Sequence, residues 1–211
     1  MLTSMTEVKP RRREINAAAT KSAMLSAALE LFVSQGYAAT SVDQIARASE
    51  SSNGAVYHHF RDKRAIFTEL LRVSQAAIVE TSMAAMAVIP ATASTWETVE
   101  LGTRAFLRAY VENLQARALL RQAVSVLGWD EVRALDEEVS LPLIRGVLTD
   151  AIQRGKARSL PVDVTADVVF SLYCNCVLTI AESPHPDQTM NDVETVIFAL
   201  LRGLVRRDVV D

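Results

Sequence analysis

Apolar positions in this chain recur at intervals of three and four residues, the spacing of a helix with one buried stripe, and no segment alternates with the period of two expected of a half-buried strand. The first clear stripe is Leu25, Ala28, Leu29 and Phe32, with Gly36 expected to end that helix in a left-handed conformation. Val42, Ile45 and Ala46 then place three apolar side chains on one face of a short second helix. Its start is expected near Ser41, with Thr40 as N-cap and Asp43 reaching back in capping-box style. The run Ser49, Glu50, Ser51, Ser52, Asn53 interrupts the pattern, because Ser and Asn side chains compete with helix-interior hydrogen bonds. A third helix begins close to Ser52, where Val56 and Phe60, four apart, can close over the second.

After Lys63 the stripe continues through Ile66, Phe67, Leu70 and Leu71 to about Val88, so one helix joins this group to the rest of the chain. Further helices are expected from Trp96 to Asn113, from Ala118 to Leu127, and from Asp130 to Arg154 with a kink or restart at Pro142. Two more run from Pro161–Asp163 to Glu182 and from Asn191 to Arg206. The predicted class is all-α: a flexible basic arm over residues 1–18, a three-helix domain over 19–64, and a larger helical domain over 65–211.

Two short helices meeting at a tight polar turn read as a helix-turn-helix, whose second helix presents its N-terminal residues to base edges in the major groove. Gly54 and Ala55 are small enough to permit close approach there. Ser52, Asn53, Tyr57, His58 and His59 offer hydrogen-bonding groups to phosphates and bases, Lys63 is placed to neutralise a phosphate, and Thr40 and Ser41 complete the candidate DNA-binding set. Consecutive helical residues do not face each other, so His58 and His59 are poorly placed to share a metal ion.

Charge becomes informative once divided. The chain of 211 residues has a net charge of −3, yet residues 1–64 hold nine Lys or Arg against six Asp or Glu, and residues 65–211 hold thirteen against nineteen. The basic excess falls on the segment that would meet phosphates. Lys9 and Arg11 to Arg13 suit either a minor-groove or phosphate contact or a solvated tail.

The segment GYAATSVDQIA, followed by SNGAVYHHF and then Lys63, resembles the DNA-binding region of the tetracycline-repressor (TetR/AcrR) family, closely so from residue 21 to residue 71. Glu50 stands where that family usually has a turn Gly, Ser51 where it has a small apolar residue, and Asn53 where a basic residue is frequent. A residue with a Cβ is awkward at position 50 if the turn needs positive φ. Further on, LGWDEVRALDEEV and RSLPVDVTADVV look like the ligand domains of some members.

The resemblance implies a homodimeric repressor released from a palindromic operator by a small molecule; an activator or a ligand-free architectural protein is the alternative. The helix near residues 162–182 is apolar on more than one face and needs cover on most sides. With the last helix it suits a dimer interface, for which Val169, Tyr173, Val177, Ile180, Val193, Ile197, Leu200 and Leu204 are candidates. Candidate ligand contacts for an unknown effector are Met83, Met86, Trp96, Arg104, Phe106, Tyr110, Arg121, Trp129, Tyr173 and Asn175.

No Gly-rich phosphate loop, metal motif or nucleophile elbow is present, so neither catalytic residues nor a cofactor are expected, and Asp136 and Glu138 read as a solvated face. Cys174 and Cys176, about 200° apart around a helix, suit reduced packing. The N-terminal residues lack an apolar signal core, and the apolar stretch from Val168 to Ala181 falls short of the roughly 20 residues of a membrane span. The expectation is a cytoplasmic protein with no membrane partner.

Overall fold

The computed structural model describes residues 12–89 and 93–206; these are helical apart from the connections and one antiparallel bridge between Ala157 and Val205. In chain order the helices are α1 (Arg12–Ala39), α2 (Val42–Ala48), α3 (Asn53–His59), α4 (Lys63–Ala87), α5 (Thr95–Glu112), α6 (Leu114–Leu127), α7 (Trp129–Gln153), α8 (Val162–Glu182) and α9 (Pro186–Arg202). The chain divides into two compact units after Phe67, within α4.

The first unit is built on Met24, Ala28 and Phe32 of α1, Ile45 of α2, Val56 of α3 and Ile66 and Phe67 of α4, all nearly inaccessible. Phe32, Tyr37 and Phe67 pack with centroids 5.4–5.5 Å apart, Phe67 edge-on to the other two. Helix α1 begins at Arg12, inside the stretch expected to be a flexible arm. Residues 15–19 are exposed, so no apolar stripe announces them; the high helix propensity of Ala17, Ala18 and Ala19 extends the helix instead. Lys9 and Arg11 lie outside the described residues. Gly36 breaks α1 with φ 84° and ψ 163°, a positive-φ conformation different from the left-handed helical one expected.

Helix α2 is capped one residue later than the pattern suggested. Ser41 accepts from the Gln44 N–H (3.2 Å) and Gln44 Oε1 accepts from the Ser41 N–H (2.8 Å), a reciprocal capping box. Thr40 does not serve: its side chain is buried, and its hydroxyl donates to the Gly36 carbonyl (2.8 Å) and accepts from Gln35 Nε2 (3.2 Å).

In the second unit Trp96, Leu107 and Tyr110 of α5, Leu120 of α6, Val177 and Ile180 of α8, and Met190 and Ile197 of α9 form the main core. Asn113 caps α6 through the Ala116 N–H (2.9 Å), starting it before the first residue of its apolar stripe. Helix α7 runs unbroken through Pro142, whose missing N–H removes only the bond to the Glu138 carbonyl. Pro186 opens α9 earlier than expected, at the first helical turn, where its missing N–H costs nothing. Helix α8 packs on α5, α6, α7 and α9. Its 21 residues, with an 18-residue apolar window of mean hydropathy 1.7, meet the length and composition of a membrane span, more than its apolar run suggested, since the helix continues through Ser171 and Asn175. About 39% of that apolar window is buried inside the chain.

Candidate DNA interface and ligand cavity

The turn between α2 and α3 closes as a Schellman motif. The Ser51 N–H reaches the Ala46 carbonyl (2.8 Å), the Glu50 N–H reaches the Arg47 carbonyl (3.1 Å), and Glu50 takes φ 52°. It is the one non-Gly residue with positive φ among the described residues. A Cβ in that region costs about 1–2 kcal/mol, partly offset by the extra unfolded-state freedom of Gly. Because Glu50 is exposed, Glu50→Gly is expected to stabilise the protein by about 0.5–1 kcal/mol in urea unfolding.

Ser52 then caps α3 through the Ala55 N–H (3.1 Å), and Val56 anchors the helix from beneath. This leaves Ser52, Asn53, Gly54, Tyr57 and His58 exposed, with Ala55 and His59 half-buried. A Cβ on Gly54 would meet nothing nearer than Ser52 Oγ at 3.8 Å, so the smallness of position 54 matters only toward an external partner. Asn53 Nδ2 donates to Asp43 Oδ1, tying α3 to α2 and fixing the direction of the amide. Arg47, exposed in the last turn of α2, is a cation beside this group that the apolar pattern did not single out.

Two predicted contacts sit differently. Thr40 is 2% exposed, so its side chain offers no free surface. Lys63 is half-buried: its Nζ donates to the carbonyls of Tyr37 (2.7 Å) and Thr40 (2.6 Å) and lies 4.1 Å from the Tyr37 ring centroid. Burial lowers its pKa below the ordinary lysine value. With two of three ammonium donors spent on the chain leaving α1, Lys63 is a positioning residue for the first unit. Lys63→Ala is expected to cost about 1–3 kcal/mol of stability, the scale of charged hydrogen bonds, measurable by urea unfolding without DNA.

The second unit holds a partly open cavity of about 190 Å³ lined by α4, α5, α7, α8 and α9. Met86, Phe106, Tyr110 and Tyr173 of the predicted ligand contacts line it. The others do not: Met83 and Trp129 are about half exposed, Trp96 is buried in the core against Phe198, and Arg104 pairs with Glu194 (3.2 Å). Arg121 donates to the Ala181 carbonyl and Asn175 to that of Ser171.

Sequence reasoning missed the polar end of the cavity, where Gln75, Asp136 and Cys174 meet. Gln75 Nε2 donates to Asp136 Oδ1, and the Cys174 thiol donates to Oδ2 over 3.7 Å. Asp136 is therefore not on a solvated face; burial raises its carboxyl pKa to about 7 and that of the Cys174 thiol to about 12. Glu138, two residues on, is exposed and paired with Arg72 (3.4 Å). Thr103 and Tyr173 share a 2.5 Å hydroxyl hydrogen bond on the cavity wall.

Residues 24–70 match the model of the bacterial regulatory proteins of the tetR family, and residues 96–204 match that of the tetracyclin repressor-like C-terminal domain. The chain belongs to the TetR family. It is a DNA-binding transcriptional regulator. The HTH-type transcriptional regulator AcrR of Shigella flexneri is 36% identical over 80 residues, which is 38% of this chain and 37% of that protein. The TetC protein of transposon Tn10 from Escherichia coli is 21% identical over 73% of this chain and 76% of its own length. The crystal structure of a TetR-family regulator from Pectobacterium atrosepticum superposes with a TM-score of 0.74 at 24% identity, over 94% of this chain and 99% of that one.

Within this TetR-family chain the expected dimer residues divide sharply. Val169, Val177, Ile180 and Ile197 are buried in the core of the chain itself, Val193 and Leu204 pack on it, and Tyr173 lines the cavity. Only Leu200, at 55%, is openly exposed. The exposed apolar positions are instead Val164 and Val168 of α8, each 63%, and Val196 of α9, 60%, beside Leu200. A helix apolar all round carries no periodic signal of which side turns inward.

Proposed function

We propose that this protein is a cytoplasmic homodimeric repressor that leaves a pseudo-palindromic operator when a small molecule enters the cavity of its second unit, acting by binding alone without catalysis. The observation that carries the reading is the exposed N-terminal end of α3, with Ser52, Asn53, Gly54, Tyr57 and His58 at the surface above a buried Val56. Those residues, with Ser41 at the entry to α2, form the surface offered to the major groove. Ala55 and His59 border it, Thr40 and Lys63 hold it in position, and Arg47 supplies a phosphate-facing charge.

One α3 presents too few base contacts for a selective site, so two copies about one DNA turn apart are required. The exposed i, i+4 pairs Val164/Val168 on α8 and Val196/Leu200 on α9 supply the face that a second copy covers. The cavity favours a ligand-responsive protein over the architectural alternative, which would have a filled core.

The test is selection of bound fragments from random or genomic DNA. A palindromic sequence with half-sites about one turn apart is expected, and recovery of no sequence preference overturns the reading. Asn53→Ala, which frees Asp43 and removes an amide from the groove, is expected to change the preferred base at one position per half-site at a cost of about 1–3 kcal/mol. An unchanged selected sequence removes Asn53 from base reading.

A further inference from the structure

The polar end of the cavity is chemically one-sided. Gln75 is 4% exposed, its Nε2 is committed to Asp136, and its Oε1 has no hydrogen-bond partner. Asp136 carries two oxygens with about four acceptor directions between them, of which Gln75 and Cys174 use two. Once Asp136 is ionised, above about pH 7, both groups therefore have unused acceptor capacity at this end of the cavity. No Lys, Arg or His lines the cavity among the described residues, so an anionic ligand would be buried without a counter-charge beside a carboxyl group.

The rest of the wall is largely apolar and aromatic, and among its hydroxyls those of Ser82 and Thr98 donate to the carbonyls of Ile78 (2.9 Å) and Ser94 (3.1 Å). Phe106 stands edge-on to Tyr110 (5.4 Å) and to Tyr173 (5.5 Å), and the Thr103–Tyr173 hydroxyl pair satisfies itself. A dry cavity of about 150 Å³ is enough to hold benzene, so about 190 Å³ accommodates one ring and a short arm.

We propose that the cavity takes a small arylalkyl ammonium ion, its cationic head between the Asp136 carboxylate and Gln75 Oε1 and its ring against Phe106 and Tyr173. The pairing supplies the donors that Gln75 and Asp136 lack, and the surrounding aromatic rings favour a cation over a neutral head. This deepens the reading of the second unit as a sensor and rests on it.

Calorimetric titration of the full chain at about pH 8 with phenethylamine, phenethyl alcohol and hydrocinnamate tests the head group on a constant ring. The amine is expected to bind about 10- to 100-fold more tightly than the alcohol, the scale of a hydrogen bond to a charged group, and the acid not at all. Asp136→Asn is expected to abolish the preference for the amine over the alcohol, with circular dichroism and urea unfolding reporting that the chain remains folded. Gln75→Leu, a second variant, is expected to weaken the amine about 3- to 10-fold.

Equal or tighter binding of the alcohol or acid, an amine preference that survives Asp136→Asn, or no binding of the amine overturns the proposal. Operator binding by the same preparation, without ligand, separates the two readings. Intact operator binding with failed amine binding discards only the ligand class, and absent operator binding discards the repressor.

Discussion

Val168→Glu is expected to convert the protein to a monomer and to lower its operator affinity at least about a hundredfold, with little change in the stability of the isolated chain. Val168 is 63% exposed, so a carboxylate there remains hydrated in the monomer, and substitutions at such positions usually change stability by no more than about 0.5 kcal/mol. In a two-fold dimer the same residue enters the interface from both copies. Two carboxylates would then be desolvated among Val164, Val196 and Leu200 without a cationic partner, a penalty of several kcal/mol. Operator affinity falls with it because a monomer engages one half-site and loses the contribution of the second. Sedimentation velocity reads the first effect, and fluorescence anisotropy at fixed salt reads the second. Val88→Glu is the control: Val88 is 82% exposed at the end of α4, outside α8 and α9, and this variant is expected to remain dimeric. A dimeric Val168→Glu protein would remove the α8/α9 face from the assembly.

That face shows where periodicity stops being informative. The helices were legible because their apolar spacing is local, and the reading of α2 and α3 also rested on short-range chemistry: small residues, a polar turn and an anchoring Val56. Even there, the cap lies at Ser41 and not at Thr40: both are hydroxyl residues, but Gln44 completes a capping box with Ser41, while the Thr40 hydroxyl turns back to the Gly36 carbonyl four residues earlier. The awkwardness of Glu50 was visible from its position in the turn, and φ 52° gives it a structural basis. Lys63 was misplaced for a related reason. A cation beside a DNA-binding helix looks like a phosphate ligand until the carbonyls of Tyr37 and Thr40, more than twenty residues away, are found beneath it. The cavity was the least legible part, because its polar end joins residues 61 and 38 positions apart in sequence, with Asp136 on a helix whose neighbouring Glu138 is solvated.

Between pH 5 and pH 8 the free protein is expected to lose about 2 kcal/mol of stability through Asp136 alone, and Asp136→Asn to abolish that component. The carboxyl has an ordinary value of 3.8 and is raised to about 7 by burial, so between those values the folded state holds a proton that the unfolded state has released. Raising the pH through that window favours the unfolded state; the loss is absent below the lower value and complete above the upper one. Gln75, which faces Asp136 from α4, does not titrate, and burial pushes Tyr110 from α5 and Cys174 from α8 upward, out of this range. Arg133, a turn earlier on α7, is held by Glu137 at 2.7 Å and stays charged. In the variant, the Asn amide oxygen still accepts from Gln75, so the packing is retained while the titration is removed. The difference between the two proteins in urea unfolding at several pH values isolates Asp136 from groups such as Asp62, whose lowered pKa, due mainly to the Ala65 N–H, acts with the opposite sign in more acid solution. Adding phenethylamine gives a linked test of the same carboxyl. An ammonium head favours the ionised form, so the ligand's stabilising effect is expected to grow from pH 5 to pH 8 in the wild-type protein and to stay flat in Asp136→Asn.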